Sequence, residues 1–157
     1  MSSQKKLDQL INSLEKHIEH HEIVNPNVSK ANIAWHIDHS FKVVNNVILA
    51  LQSSDSTLYK NNFSLLGKLF FTLGFFPRGK AKAPKHVKPP EVILKEDLLN
   101  QLQEARVHIN IIPNLDKNAF FKHPLFGDIN KKRVHRFLEL HTNHHLKIIN
   151  AITAKAK

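Results

Sequence analysis

The stretch from Asn130 to Ile152 near the C-terminus organises the chain, and no other limits the fold so tightly. Wound at 3.6 residues per turn, Val134, Phe137, Leu138, His141, His145, Ile148, Ile149 and Ile152 share one face. Two histidines four residues apart therefore lie inside an apolar stripe. Their Cα–Cβ bonds diverge by only about 40° around the axis, so both rings can reach one point. This is the spacing at which a helix offers two imidazoles to one metal ion. It is also a spacing that stacked core residues can adopt, so the pair alone leaves ligation and packing both open.

A helix with such a face needs partners, and the rest of the chain supplies them. Residues 4–21 predict a first helix through Leu7, Leu10, Ile11, Leu14 and Ile18, with His17, His20 and His21 at its solvated end. Asn25-Pro26-Asn27 marks a turn. Ser29 is placed to cap a second helix over about 30–52, whose stripe is Ile33, Ile37, Phe41, Val44, Ile48 and Leu51. His36 flanks that stripe beside Val43 and Val47, whereas His39 falls further round, toward the polar side. Residues 95–112 predict another long helix, with Leu98, Leu102, Ala105 and Ile109 inward and Gln101 and His108 at the margin.

Between the second and third long helices, residues 58–76 form a short, very apolar insertion weakened by Gly67 and Gly74. Its many large residues at mixed spacing suit burial on more than one side or an association surface. A basic, proline-rich loop over residues 77–90 follows. Residues 113–129 read as irregular, with Asp128 or Asn130 placed to cap the last helix. The expected architecture is all-α: a four-helix bundle with one short apolar helical insertion, forming a single domain over residues 1–157.

Composition narrows the chemistry. The chain has no cysteine, so a metal site must draw on histidine, carboxylate or solvent. A net charge of +10 permits binding to nucleic acid. Yet the basic residues are dispersed and do not alternate with aromatics, so a nucleic-acid partner ranks last. Neither an apolar signal core nor a run of 18 apolar residues is present, and a soluble cytoplasmic protein without membrane association is the expectation.

Histidines from two helices then combine. His36, His141 and His145 can supply three neutral imidazoles to a divalent ion and leave a coordination position open. His144, rotated off the stripe, joins Gln101 and His108 as a candidate outer partner. The sequence His141-Thr-Asn-His-His145 lacks the glutamate that a metalloprotease helix carries after its first histidine. Imidazole ligands suit zinc, nickel, copper and iron alike.

Three segments, Ala34-Trp-His-Ile-Asp-His-Ser40, Phe121-Lys-His-Pro-Leu-Phe-Gly127 and His141-Thr-Asn-His-His-Leu-Lys-Ile-Ile149, together resemble the DinB-like (YfiT-like) metalloenzyme superfamily. More narrowly they are similar to a bacterial subfamily with an HPxFG and an HxxHH pattern. The resemblance implies a four-helix bundle holding zinc or nickel on three histidines that match His36, His141 and His145. It further implies a homodimer and a thiol-dependent transferase acting on a small-molecule substrate with a low-molecular-weight thiol. Arg78 and Lys80 in the basic loop are the candidate anion-binding residues. His144-His145-Leu146 replaces the tyrosine-histidine-arginine ending common in that superfamily.

Overall fold

A computed structural model describes residues 3–78 and 84–154. Four long helices form the body: α1 (Ser3–Glu15), α2 (Ile33–Ser53), α4 (Lys95–Ile111) and α5 (Lys131–Ala154). The short α3 (Leu65–Leu73) lies between α2 and α4 in the chain. The extensive contacts are α2 with α4, α2 with α5 and α1 with α5, and α1 also touches α4. Each long helix thus packs on two neighbours, in the cyclic order α1–α4–α2–α5. The apolar stripes meet at the centre, where Leu7, Ile33, Ile37, Phe41, Leu98, Leu102, Leu138 and Ile149 are wholly buried.

The expected elements are present, with shifted ends. The first helix stops at Glu15, and Ile18–His20 is a 3-10 turn that still buries Ile18. The cap of α2 is Asn32, whose side chain accepts from the Trp35 N–H at 2.9 Å, and not Ser29. Ser29 instead turns back toward His36, because the chain loops through 25–29 and enters the helix three residues later than expected. The apolar insertion is helical only over Leu65–Leu73, capped by Ser64 and ended by Gly74 in the left-handed conformation, φ 76°. It touches α5 and leaves Leu65, Leu69 and Leu73 exposed.

The all-α expectation needs one correction. Phe120–His123 (β1) and Gly127–Asn130 (β2) pair as an antiparallel hairpin where an irregular segment was expected. Strands of four residues are too short for alternation to show against a helical background. Consequently neither Asp128 nor Asn130 caps α5. The Asp128 carboxylate accepts from the Lys60 N–H at 3.0 Å, and the Asn130 Oδ1 is buried without a partner.

The hairpin also anchors the segment that leads into α3. Asn62 Oδ1 accepts from the Asp128 N–H at 2.7 Å, and the Ser64 N–H donates to the Phe126 carbonyl at 2.9 Å. Gly127 sits at φ 77°, and a Cβ there would stand 2.6 Å from both oxygens of Asn62. Gly127→Ala is therefore expected to cost about 1–3 kcal/mol of stability, because backbone strain and the clash act together. Urea unfolding of the two proteins measures it, and an unchanged midpoint would contradict this account.

Among the described residues no helix is long and apolar enough to cross a membrane.

Candidate metal centre

Two helices build the site. On α5, His141 and His145 lie one turn apart within the apolar stripe, as the spacing predicts. On α2, His36 and His39 also lie about one turn apart. The two helices cross so that His39 faces both α5 histidines while His36 faces His145. Ring centroids of His39, His141 and His145 form a near-equilateral triangle, with separations of 5.0 Å (39–141), 4.8 Å (39–145) and 4.7 Å (141–145). One ring nitrogen from each of these three lies within 4.8 Å of the others. They form the only group of this kind among the described residues.

This placement changes the part played by α2. The expectation that His39 faces the polar side fails, since it is 5% exposed. The cause is a cover that α2's own periodicity does not reveal. The 3-10 turn Lys85–Val87, at the end of the proline-rich loop, packs on this side of α2. His39 Nδ1 donates to the Val87 carbonyl at 2.8 Å. A carbonyl can only accept, so in the neutral ring the Nε2 of His39 is bare and available to a metal. Trp35 stacks on the His39 ring at 5.1 Å and closes the cluster further.

His36, the α2 histidine singled out by the sequence, is also buried in the cluster, one layer behind. Its Nδ1 is 3.0 Å from Nδ1 of His145, and its Nε2 is 3.0 Å from Ser29 Oγ. Ser29 Oγ in turn accepts from the Ala31 N–H at 3.1 Å. With Nδ1 of His145 occupied in this way, Nε2 is the nitrogen left to face His39 and His141.

One measured edge of the set fits a divalent ion. Nε2 of His141 is 3.2 Å from Nε2 of His39. Two nitrogens bound at 2.0–2.1 Å to one tetrahedral ion stand about 3.3 Å apart, so the observed approach matches an edge of such a site. With Nε2 turned to that edge, Nδ1 of the neutral His141 ring carries the proton, and it is buried with no hydrogen-bond partner.

Electrostatics point the same way. Burial, reinforced by the charges of His39, His144 and Arg78, pushes His36 down to about 4. Burial and neighbouring histidines hold His141 and His145 well below the usual imidazole range. Burial lowers His39 as well, although the Val87 carbonyl and Asp38 oppose it. All four rings are neutral at pH 7, the state a metal ligand requires.

The remaining candidates lie elsewhere. His144 donates from Nδ1 to the Phe76 carbonyl at 3.0 Å and meets His145 edge-on, rings 5.0 Å apart. His108 pairs with Asn45 at 2.9 Å, and Gln101 donates to Asp38 at 2.7 Å, so neither bonds a ring of the cluster. Asp38 is held in turn by Lys42 at 2.7 Å. Arg78 is exposed beside His144 and Lys147, and Lys80 lies outside the described residues. His123 of the Phe-Lys-His-Pro-Leu-Phe-Gly segment packs flat on Phe126, rings 4.2 Å apart, and anchors the hairpin turn.

Sequence reasoning missed His39 and Ser29. A signal for His39 was present: between Ile33 and Ile48 the only formal charges are Asp38 and Lys42, four residues apart, which neutralise each other. A helix so poor in charge is buried on most sides. Ser29 had no comparable signal, since a serine before a helix reads first as its cap.

Compared with family models, with curated proteins and with solved structures, the chain matches none of them.

Proposed function

We propose that this protein is a metal-dependent enzyme whose divalent ion, zinc or nickel, is held by His39, His141 and His145, and that it transfers groups to or from a low-molecular-weight thiol. The convergence of three neutral imidazoles carries this reading. Three uncharged ligands would leave a bound ion its full positive charge, and the chemistry such an ion would supply is to lower the pKa of a thiol or water toward neutral. The chain's own residues prepare that chemistry. The Val87 carbonyl fixes the tautomer of His39. Burial keeps the rings unprotonated, and Trp35 shields one side of the cluster from water. The thiol and the transfer reaction follow from the motif resemblance, as does assembly into homodimers.

In this reading His36 is a positioning residue. It accepts from the His145 Nδ1–H and passes the hydrogen-bond chain to Ser29, which holds the Nε2 of His145 toward the ion. His36→Phe is expected to weaken zinc binding about 10–100-fold, the usual effect of removing an outer partner. His36→Gln, which can still accept, restores part of it. Competition with a chromophoric chelator measures both, and equal affinities for all three proteins would contradict the role.

The function itself is tested by loading the purified protein with zinc or nickel and assaying thiol consumption against a panel of small electrophiles. Metal-dependent turnover that disappears in His141→Phe is the expected result. Tight metal binding without turnover on any electrophile would leave a metal-stabilised bundle in place of an enzyme.

A further inference from the structure

Beside the histidine triangle, α5 presents a second face. Leu140, Asn143, His144 and Lys147 follow one another at helical spacing and line a cavity of about 290 Å³, closed on its other side by Phe75 and Arg78 as the chain leaves α3. The crossing segment is pinned there by the bond from His144 to the Phe76 carbonyl.

The chemistry of the walls is one-sided. No acid lines the cavity, and neither Arg78 nor Lys147 forms an ion pair with any described residue. Glu139, the acid one turn before Asn143 on α5, is engaged by Arg136 at 3.0 Å. Two unpaired cations and a free amide thus stand against Leu140 and the half-exposed ring of Phe75. Cations left unneutralised around a concave apolar surface favour an anion carried on an apolar body. The volume lies at the small end of ligand pockets, which suits one short organic acid.

The cavity also adjoins the metal centre. His144 forms its wall, and the His144 ring is 5.0 Å from that of His145. We infer that this cavity binds the carboxylate of a small apolar substrate between Arg78 and Lys147, and so presents the substrate's other end to the histidine triangle. The second half of this inference rests on the metal-site reading above; the first half does not.

Benzoate is a suitable probe, with benzyl alcohol as its neutral counterpart, followed by NMR titration of the full chain. In metal-free protein, benzoate is expected to shift the signals of Asn143 and His144, and benzyl alcohol to bind at least about tenfold more weakly. Arg78→Gln and Lys147→Gln should each raise the benzoate Kd about tenfold, whereas Lys68→Gln on α3 leaves it unchanged. In cobalt-loaded protein the paramagnetic ion should broaden the ring protons of bound benzoate. No benzoate binding, or binding indifferent to both cavity substitutions, overturns the pocket. Binding without broadening in cobalt-loaded protein overturns its service to the metal. If the protein takes up no cobalt yet binds benzoate at these residues, the metal-site reading and the substrate assignment fall together, and the anion pocket stands.

Discussion

Replacing His141 by phenylalanine is expected to reduce zinc affinity by more than the 10–100-fold that loss of an outer partner costs, because one of the three proposed ligands disappears. Phenylalanine occupies the imidazole's space without a nitrogen, so circular dichroism should show an unchanged helical bundle. His39→Phe and His145→Phe should behave alike. His36→Phe should fall in the milder class, and His108→Ala, which touches no ring of the cluster, should bind as the parent does. The ranking separates this arrangement from the alternative in which His36 is the third ligand. That alternative predicts a severe loss for His36→Phe and a mild one for His39→Phe. Isothermal titration with zinc measures the five variants against the parent.

Acid should unfold the metal-free protein unusually early. Burial holds His36 and His123 near 4 and His141 and His145 well below the ordinary imidazole value of about 6.5. Folded rings stay neutral where unfolded ones bind protons. The sign follows: these groups leave stability intact above about pH 6.5, and it is lost as the pH falls from there toward about 4. Each ring that remains neutral while its unfolded counterpart is protonated contributes a slope of about 1.4 kcal/mol per pH unit. Several acting together make a loss large against the ordinary stability of a domain, about 5–15 kcal/mol. Urea midpoints measured in EDTA from pH 7.5 to 4 should fall steeply. Added zinc should move the decline to lower pH, because the ion binds only neutral rings. A flat profile down to pH 4.5 in EDTA would show that the rings are not buried as described.

What the sequence made legible follows the physics of each element. The stripes of α1 and α5 are strongly periodic and face one large core, so their buried residues could be read directly. His141 and His145 could be read for the same reason, because the candidate site uses the face that packing already defines. On α2 the same logic picked His36 and passed over His39. The deciding contact there comes from Val87, 48 residues away in the chain, and helical periodicity carries no information about what a distant turn will cover. The β1–β2 hairpin was hidden by its length, and its Gly127 is needed because the backbone meets Asn62. The exposed leucines of α3 show why a very apolar segment need not be a core segment: Leu65 is 80% exposed. Its sequence fitted burial and association equally.

We propose that three imidazoles, from His39, His141 and His145, hold one ion. Zinc K-edge X-ray absorption of the loaded protein tests it most directly. The expected result is one zinc per chain with three imidazole nitrogens at about 2.0–2.1 Å and one exchangeable oxygen ligand, and loss of one imidazole on His39→Phe but not on His36→Phe. Failure to retain zinc, or a shell that loses its imidazole with His36 and keeps it without His39, would contradict the claim.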